Sequence, residues 1–458
     1  MNTKTPDIVI VGAGLTGLTM AYYLQKLGKK IIVLEKDKRA GGVIHTVAEN
    51  NFIYESGPNT GVLSTPEIAA LFRDLKDFCT LETANPKSEK RYILKKGKWQ
   101  PLPSGPISAI RTPLFRFSDK LRILGEPFRK PGSDPDESVA HMVIRRLGRS
   151  FLEYAVDPFV SGIYAGDPEK LITRYALPKL YALEHNYGSF IKGTIKKARE
   201  PKTEDEKRAT REVFSVKGGL ANLIKALSDR IESENILTGI SGTVIKPNDK
   251  GFMVSFVNSS GEKGMIQVPV VVSTIGGYAL PSLLPFISQD SLKPFTDLKY
   301  AAIVQVALGY TEWKGPKPDA FGGLIPSQEN RDILGILFPS AIFEGRSPEK
   351  GTLLSVFLGG VKKPEMISKT DNEIEAIVLR EIRSIMSESN IPDLVKIHRY
   401  SHAIPQYEIS TGERLERIRS IQDQYPGLIL AGNIRDGIGM ADRVKQARQI
   451  AESLTSQR

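Results

Sequence analysis

Apolar runs and the glycines that interrupt them divide the chain into elements. Ile8-Val9-Ile10-Val11 is a β-branched run without polar alternation, the pattern of a strand buried on both faces. It stops at once in Gly12-Ala13-Gly14-Leu15-Thr16-Gly17. Leu15, Leu18, Ala21, Tyr22 and Leu24 then recur at helical spacing until Gly28. Lys30-Ile31-Ile32-Val33-Leu34 predicts a second buried strand, ending at Glu35. The chain therefore opens on a complete βαβ unit.

Further along, residues 90–94 and 97–101 predict a hairpin, and 101–208 is mainly helical, interrupted by prolines. Residues 200–211 are dense in both charge signs and read as a solvated connection. The pattern returns to strand, helix and strand over 214–272, and 268–273 predicts a buried strand. Residues 301–309 and 351–360 predict strands of a second sheet. An amphipathic helix is expected over 371–389, with Ile374, Ile377, Val378, Ile382 and Ile385 on one face. A last buried strand over 428–431 leads through Gly432-Asn433 into a closing helix. No internal repeat or low-complexity tract is visible.

The opening block has a physical purpose. Gly12 permits a tight turn, Gly14 lets backbone approach a pyrophosphate, and Gly17 lets the helix pack against the strand. The helix N-terminus then offers free N–H groups and a positive dipole end to phosphates. Glu35 stands where an acid binds a ribose hydroxyl, and it would repel a 2′-phosphate. The unit thus points to a dinucleotide other than NADP. Arg39 and Gly41-Gly42 extend it, an Arg able to reach a pyrophosphate and a glycine pair allowing close approach.

Composition narrows the class. At about 150 residues per domain, 458 residues suggest two or three domains. The single Cys79 excludes an internal disulfide and suits a reducing cytosol, its thiol buried or idle. The five His show no ligand spacing, so no metal is expected. No window approaches the roughly 18 apolar residues of a spanning helix, and no signal-peptide core is present. The net charge of +11 could serve nucleic acid, an acidic membrane or an acidic small molecule. No nucleic-acid motif accompanies it, which leaves the last two.

The opening block with Glu35, Arg39 and Gly41-Gly42, together with the closing Gly432-Asn433 and Gly437-Ile438-Gly439-Met440-Ala441, resembles the glutathione-reductase-like FAD enzymes of the amine-oxidase branch. In them, both chain ends meet on one FAD. The stretch Asp157-Pro158-Phe159-Val160-Ser161-Gly162-Ile163-Tyr164-Ala165-Gly166-Asp167-Pro168, with Gly57-Pro58-Asn59, Phe321-Gly322-Gly323-Leu324 and His402-Ala403-Ile404-Pro405-Gln406-Tyr407, is similar to the oxygen-dependent porphyrinogen oxidases. These stretches run in the family's order over nearly the whole chain.

That resemblance implies an α/β fold: an FAD-binding Rossmann-like domain (1–85, 205–270 and 405–458), an interleaved mixed-sheet substrate domain (86–100 and 271–404) and a helical domain (101–204). It implies cofactor contacts from Gly12, Gly14, Leu15, Thr16, Gly17, Glu35, Lys36, Arg39, Gly41, Gly42, Gly57, Pro58, Val244, Gly432, Asn433, Gly439, Met440 and Ala441. Arg91 matches an arginine that holds a substrate propionate, which suits a guanidinium because it can bind both carboxylate oxygens. Phe321, Leu324 and Leu337 match apolar walls for a flat macrocycle, Gly162 a backbone contact to its pyrroles, and Asn59 a residue near flavin and substrate. No acid or base is assigned. The implied reaction oxidises protoporphyrinogen IX, or alternatively coproporphyrinogen III, with dioxygen as acceptor. The nearby Lys95, Lys96 and Lys98 could serve extra carboxylates. More distant readings are an FAD amine oxidase, a carotenoid-desaturase-like enzyme, or a nucleotide-holding protein without turnover.

Two features stand apart. Met440-Ala441-Asp442-Arg443-Val444-Lys445 is more basic than the family's closing motif and lacks its common Cys. Arg111, Arg116, Lys120, Arg122, Arg129 and Lys130 are interleaved with Leu114, Phe115, Phe117, Leu121 and Phe128, a mixture that suits an anionic lipid surface or a plain solvated face. A cytoplasmic, at most peripheral protein is expected; a homodimer is compatible with the sequence but not indicated by it.

Overall fold

The computed structural model of the chain describes residues 6–456. The opening unit forms as expected: strand Ile8–Val11, helix Leu15–Lys26, strand Ile31–Leu34. The first strand is central in a five-stranded parallel sheet. Ile31–Leu34 and then Ile236–Leu237 lie to one side of it, Val270–Ser273 and then Leu428–Leu430 to the other. The start, middle and end of the chain therefore lie edge to edge.

Both faces of this sheet are covered, which is why its strands are continuously apolar. On one face Leu18, Ala21 and Leu24 of the first helix pack with Leu223 and Leu227 of helix Ala221–Arg230 and Val444 and Ala447 of the closing helix Met440–Ser456. On the other, Val9 and Val271 pack against Ile245, Val254 and Val268 of a three-stranded antiparallel meander and against Ile418 and Ile421 of helix Thr411–Gln424. The expected strand over 268–273 is broken at Pro269, which has no N–H to donate to a ladder. Lys263–Val268 belongs to the meander and Val270–Ser273 to the parallel sheet, so the chain crosses to the second sheet after Ser273, not at 270.

The second sheet has seven strands, in the order Leu394–Pro405, Tyr300–Tyr310, Thr352–Gly359, Ile333–Leu337, Gly322–Leu324, Arg91–Lys95, Lys98–Pro101. All pairs are antiparallel except Gly322–Leu324 with Arg91–Lys95. One face is dry: Val304, Val306, Leu308, Ile336 and Val356 pack on Ile374, Val378 and Ile382 of helix Asp371–Met386. That helix stops short of 389. Ser387 turns left-handed (φ 53°), and the Glu388 carboxylate instead accepts from the N–H groups of Lys314, Gly315 and Asn390.

Helices fill most of the span between Pro101 and Val213. Their centre is polar. Arg146 is fully buried between Glu126 and Glu184, and Glu126 also accepts from the N–H of Phe190 at the start of helix Phe190–Arg199. The charged connection is not bare: Glu204–Arg208 forms a short exposed helix, because Thr203 and Glu206 cap each other reciprocally.

The second sheet is tied through buried polar contacts to strand Phe52–Glu55, which pairs with Thr46–Glu49 outside the parallel sheet. Gln305, on the second sheet, donates to the Glu55 carbonyl (2.8 Å) and to Ser355 Oγ (3.1 Å). The Glu55 carboxylate accepts from Thr46 Oγ1 (2.7 Å) and the Leu220 N–H (2.8 Å), with Arg346 3.7 Å away. Arg346 also reaches Glu82, Ser215 and the Val216 carbonyl.

Arg346→Leu should lower stability by about 3 kcal/mol, because it leaves the buried Glu55 without its cation. Burial already pushes the Glu55 pKa up, and losing Arg346 raises it further. A folded-state pKa above the unfolded one means that stability falls as pH rises through it. The deficit in melting temperature should therefore be smaller at about pH 5 than at about pH 7.5; a deficit that grows on acidification would contradict this account.

Candidate active site

At the C-terminal edge of the parallel sheet the glycine turn is tightly built. Gly12 has φ +106°, and a Cβ at Gly17 would run into the Gly12 carbonyl oxygen, so only glycine lets helix Leu15–Lys26 sit this close. Gly14 differs: its φ of −72° is ordinary, and nothing lies within 4 Å of where its Cβ would be. The first turn of that helix has no side-chain cap and no acidic residue, so the N–H groups of Leu15, Thr16 and Gly17 are left for a ligand. Open space before Gly14 beside uncapped donors fits a pyrophosphate.

Glu35 is buried, and its carboxylate accepts from the Ala13 N–H (2.7 Å) and the Asp37 N–H (3.0 Å), which fixes it beside the turn with lone pairs remaining for hydroxyls. Lys36 next to it is exposed. The Glu35 carbonyl accepts from Ile240 N–H, so the chain leading to Val244 runs alongside; Val244 itself is half-buried in the meander. Arg39 does not extend freely: its guanidinium donates to the carbonyls of Ala40, Gly42 and Ile44 (3.3, 2.8 and 3.1 Å). It braces the Gly41-Gly42 loop, and Gly42 brings that loop to Gly14. Gly57 packs just as closely, since a Cβ there would strike the Val43 carbonyl. Pro58 and the buried Asn59 follow, Asn59 donating to the Gly57 carbonyl (3.2 Å).

The closing segment lies alongside. Thr274 Oγ1 donates to the Gly12 carbonyl (3.1 Å), and Gly432 packs on the Thr274 carbonyl, so one residue separates the two glycine turns. Tyr407 Oη is 3.0 Å from the carbonyls of both Asn433 and Gly437 and accepts from the Gly437 N–H. Burial pushes its pKa up to about 12, so the phenol stays protonated as a donor. Gly439 is exposed, while Met440 and Ala441 start the closing helix and are buried.

The second sheet turns its other face toward these loops. Strand register places Arg91, Gly322 and Leu337 in one row and Ile93, Leu324 and Gly335 in the next. The glycines flatten this face. Gly162, on helix Asp157–Ile163, lies over it: a Cβ there would strike Leu324. Asp157 fixes that helix by accepting from Ser327 N–H (2.7 Å) and Lys362 Nζ (2.6 Å). Arg91 is exposed, its guanidinium 5.2 Å from the centre of the Phe321 ring. Among the described residues it has no ion pair, because Asp319 is taken by Lys90 (2.6 Å) and Tyr92 (2.8 Å). Arg91, Phe321, Leu324, Leu337 and Gly162 thus come together around one apolar face.

The lysine cluster does not join them as a group. Lys95 donates to the carbonyls of Pro113 and Leu114 (both 2.7 Å) and lies over the Tyr154 ring, and burial pushes its pKa down. The hairpin turn at Lys96 is held by Glu329. Sequence reasoning passed over three contributors. Phe159 and Ile163 flank Gly162 and remain partly exposed. Gln305 ties the second sheet to strand Phe52–Glu55, and a lone amide between Val304 and Val306 in an apolar strand was a readable signal.

Comparison with known proteins bears on the whole chain. The family model for flavin-containing amine oxidoreductases matches residues 15–454. Protoporphyrinogen oxidase 1 of Arabidopsis thaliana is 31% identical over 482 residues, covering 98% of this chain and 88% of that protein. Coproporphyrinogen III oxidase of Bacillus subtilis is 25% identical, covering 99% of both. Among solved structures, one from Exiguobacterium sp. 255-15 superposes over both full chains with a TM-score of 0.82 at 23% identity. The cyclohexylamine oxidase of Brevibacterium oxydans shares the fold, with a TM-score of 0.70 at 14% identity over 99% of each chain.

The two glycines separate ligand binding from folding. Gly14→Val should fold and melt close to the parent yet purify without flavin, because its side chain meets only the space meant for phosphate. Gly17→Val should lose soluble yield as well, since it collides with backbone. Flavin absorbance retained in Gly14→Val would remove this cradle from the site.

Proposed function

The chain belongs to the flavin-containing amine oxidoreductases, and within them to the porphyrinogen oxidases, and from that premise we propose that it oxidises protoporphyrinogen IX to protoporphyrin IX, a step of heme biosynthesis. The observation that supports this most directly is the glycine-flattened face between Gly162 and the strands of Phe321, Leu324 and Leu337, with Arg91 free at its rim. A flat, mainly apolar tetrapyrrole with its acidic side chains gathered on one edge has that shape and that charge.

FAD held by the Gly12–Gly17 turn and the 432–441 segment would supply a two-electron acceptor, so removing six electrons and six protons takes three rounds, each passing one pair to dioxygen as hydrogen peroxide. The chain's own residues bind and orient. Arg91 would fix a propionate by paired hydrogen bonds, and cation–π contact with Phe321 holds the guanidinium in place. Leu324 and Leu337 would form apolar walls beside the ring, and Phe159 and Ile163 add exposed apolar surface on the helix of Gly162, which packs directly on Leu324. These walls carry no ionisable group, so pyrrole protons would leave to water and no general base is assigned.

Lys90 and Lys95 are already engaged, which favours a dicarboxylate, whereas the exposed Lys98, on the same sheet face as Arg91 and without an ion pair among the described residues, could meet a further carboxylate. Coproporphyrinogen III remains the second reading, in keeping with the Bacillus relative. We also place the protein in the cytoplasm, peripheral on an anionic membrane. No helix among the described residues is long and apolar enough to cross one. Ile107, Ile110, Phe117, Leu124 and Phe128 are all more than two-thirds exposed among the basic residues of this region.

Anaerobic mixing with each porphyrinogen should bleach the flavin, faster with protoporphyrinogen IX, and porphyrin fluorescence should appear when air is admitted. Bleaching by neither would overturn the reading. Arg91→Ala should raise KM about tenfold or more, the scale of one lost charge-assisted pair, with flavin content unchanged. Replacing Phe117 and Phe128 with Ser should reduce co-sedimentation with phosphatidylglycerol vesicles and leave turnover of dissolved substrate as it was; equal sedimentation would argue for a solvated face.

A further inference from the structure

Arg443 is in an expensive place. It is buried in the first turn of helix Met440–Ser456, where a cation opposes the helix dipole and has lost its water. Its guanidinium donates to the carbonyl of Gly432, to the carbonyls of Arg435 and Asp436 (both 2.8 Å) and to Gln446 Oε1 (3.2 Å). Arg414, fully buried on helix Thr411–Gln424, donates to the Ile434 carbonyl (3.0 Å) and Thr411 Oγ1 (3.1 Å). Four carbonyls of the 432–436 loop are therefore drawn toward two guanidinium groups.

Neither arginine has an ion pair among the described residues, and Arg443 Nε and Arg414 Nη1 are buried without any hydrogen-bond partner. The nearest carboxylates are otherwise engaged: Asp436 with Arg435 and Gln446, Asp442 with the Gly439 N–H. Arg414's other neighbours are the phenols of Tyr407, Tyr300 and Tyr175. Burial lowers the pKa of both arginines, yet arginine keeps its proton in proteins. Two buried positive charges thus back one loop, and although Asp436 and Asp442 lie within electrostatic reach of Arg443, neither arginine is ion-paired among the described residues.

We propose that Arg443 and Arg414 supply the positive charge that stabilises the flavin when it is reduced, a positioning and potential-setting role carried through the 432–441 segment. A hydride brings two electrons and one proton, so the ring gains one negative charge, and a low-dielectric cation behind the loop favours that state over the oxidised one. This rests on the 432–441 segment facing FAD. It does not depend on which substrate delivers the hydride.

Sulfite provides the test, because its sulfur lone pair bonds to flavin N5 and leaves a negative charge on the ring without turnover. Purified holoprotein, R443Q, R443K and R414Q are titrated with sulfite, and their flavin midpoint potentials are measured against reference dyes. R443Q and R414Q should each bind sulfite about tenfold more weakly and shift the potential down by about 30 mV, the two-electron equivalent of a tenfold change. R443K, which keeps the charge but not the fork of donors, should stay near the parent in both while releasing FAD more readily. Parental sulfite affinity in both glutamine variants, or an equal loss in R443K and R443Q, would overturn the proposal. If R443Q holds no flavin, R414Q and R443K decide: weaker binding in the first with parental binding in the second supports it, and the reverse pattern rejects it. None of these measurements uses a porphyrinogen, so an error in the substrate leaves the result readable.

Discussion

The closeness of backbone to backbone at the edge of the parallel sheet is the constraint on which the rest depends. Gly17 must lie against the Gly12 carbonyl for the first helix to sit on the first strand. Only then do the uncapped N–H groups of that helix face the space before Gly14. The same closeness recurs where Gly432 meets Thr274 and where Gly57 meets the Val43 carbonyl. A Cβ at any of these three contact positions would wedge apart segments that must converge, so the cradle is built by leaving side chains out.

The second sheet repeats the device for a different reason. Gly322 and Gly335 leave one face flat, while the opposite face is filled by Val304, Val306 and Val356 against a helix. Elsewhere that flat face is covered, by Phe52 and Tyr54 over Ala307 and Leu353 and by Leu114 and Phe115 over Ile93. Here Gln305 ties that face to strand Phe52–Glu55 through the Glu55 carbonyl, and Arg346 meets the Glu55 carboxylate.

The charge surplus resolves into separate local roles. Arg146 balances Glu126 and Glu184 inside the helical region and is structural. Lys90 is neutralised by Asp319, while neighbouring Arg91 has no ion pair among the described residues. Arg443 and Arg414 stand under the closing loop, donating to its carbonyls and to Gln446 and Thr411, with no ion pair among the described residues. Counting charges gives +11 but cannot separate these cases, because the difference lies in which carboxylate is within reach.

The amino-acid order by itself determined the elements whose physics is local. The βαβ opening, the hairpin at 90–101, the helix under the second sheet and the closing strand each carry their own period and their own glycine or capping signal. It also brought the residues of the site into one resemblance, since Gly162, Phe321 and Leu324 lie in recognisable stretches. Tertiary structure decided what each polar group faces. Arg39 turns back on its own loop, Lys95 caps a chain segment, the strand at 268–273 splits between two sheets, and Glu388 halts a helix by binding N–H groups far away in sequence. Periodicity records whether a residue is buried, whereas a hydrogen-bond partner is set by chain segments that meet only on folding, and a guanidinium reads the same in sequence whether it meets a carboxylate, a carbonyl or nothing.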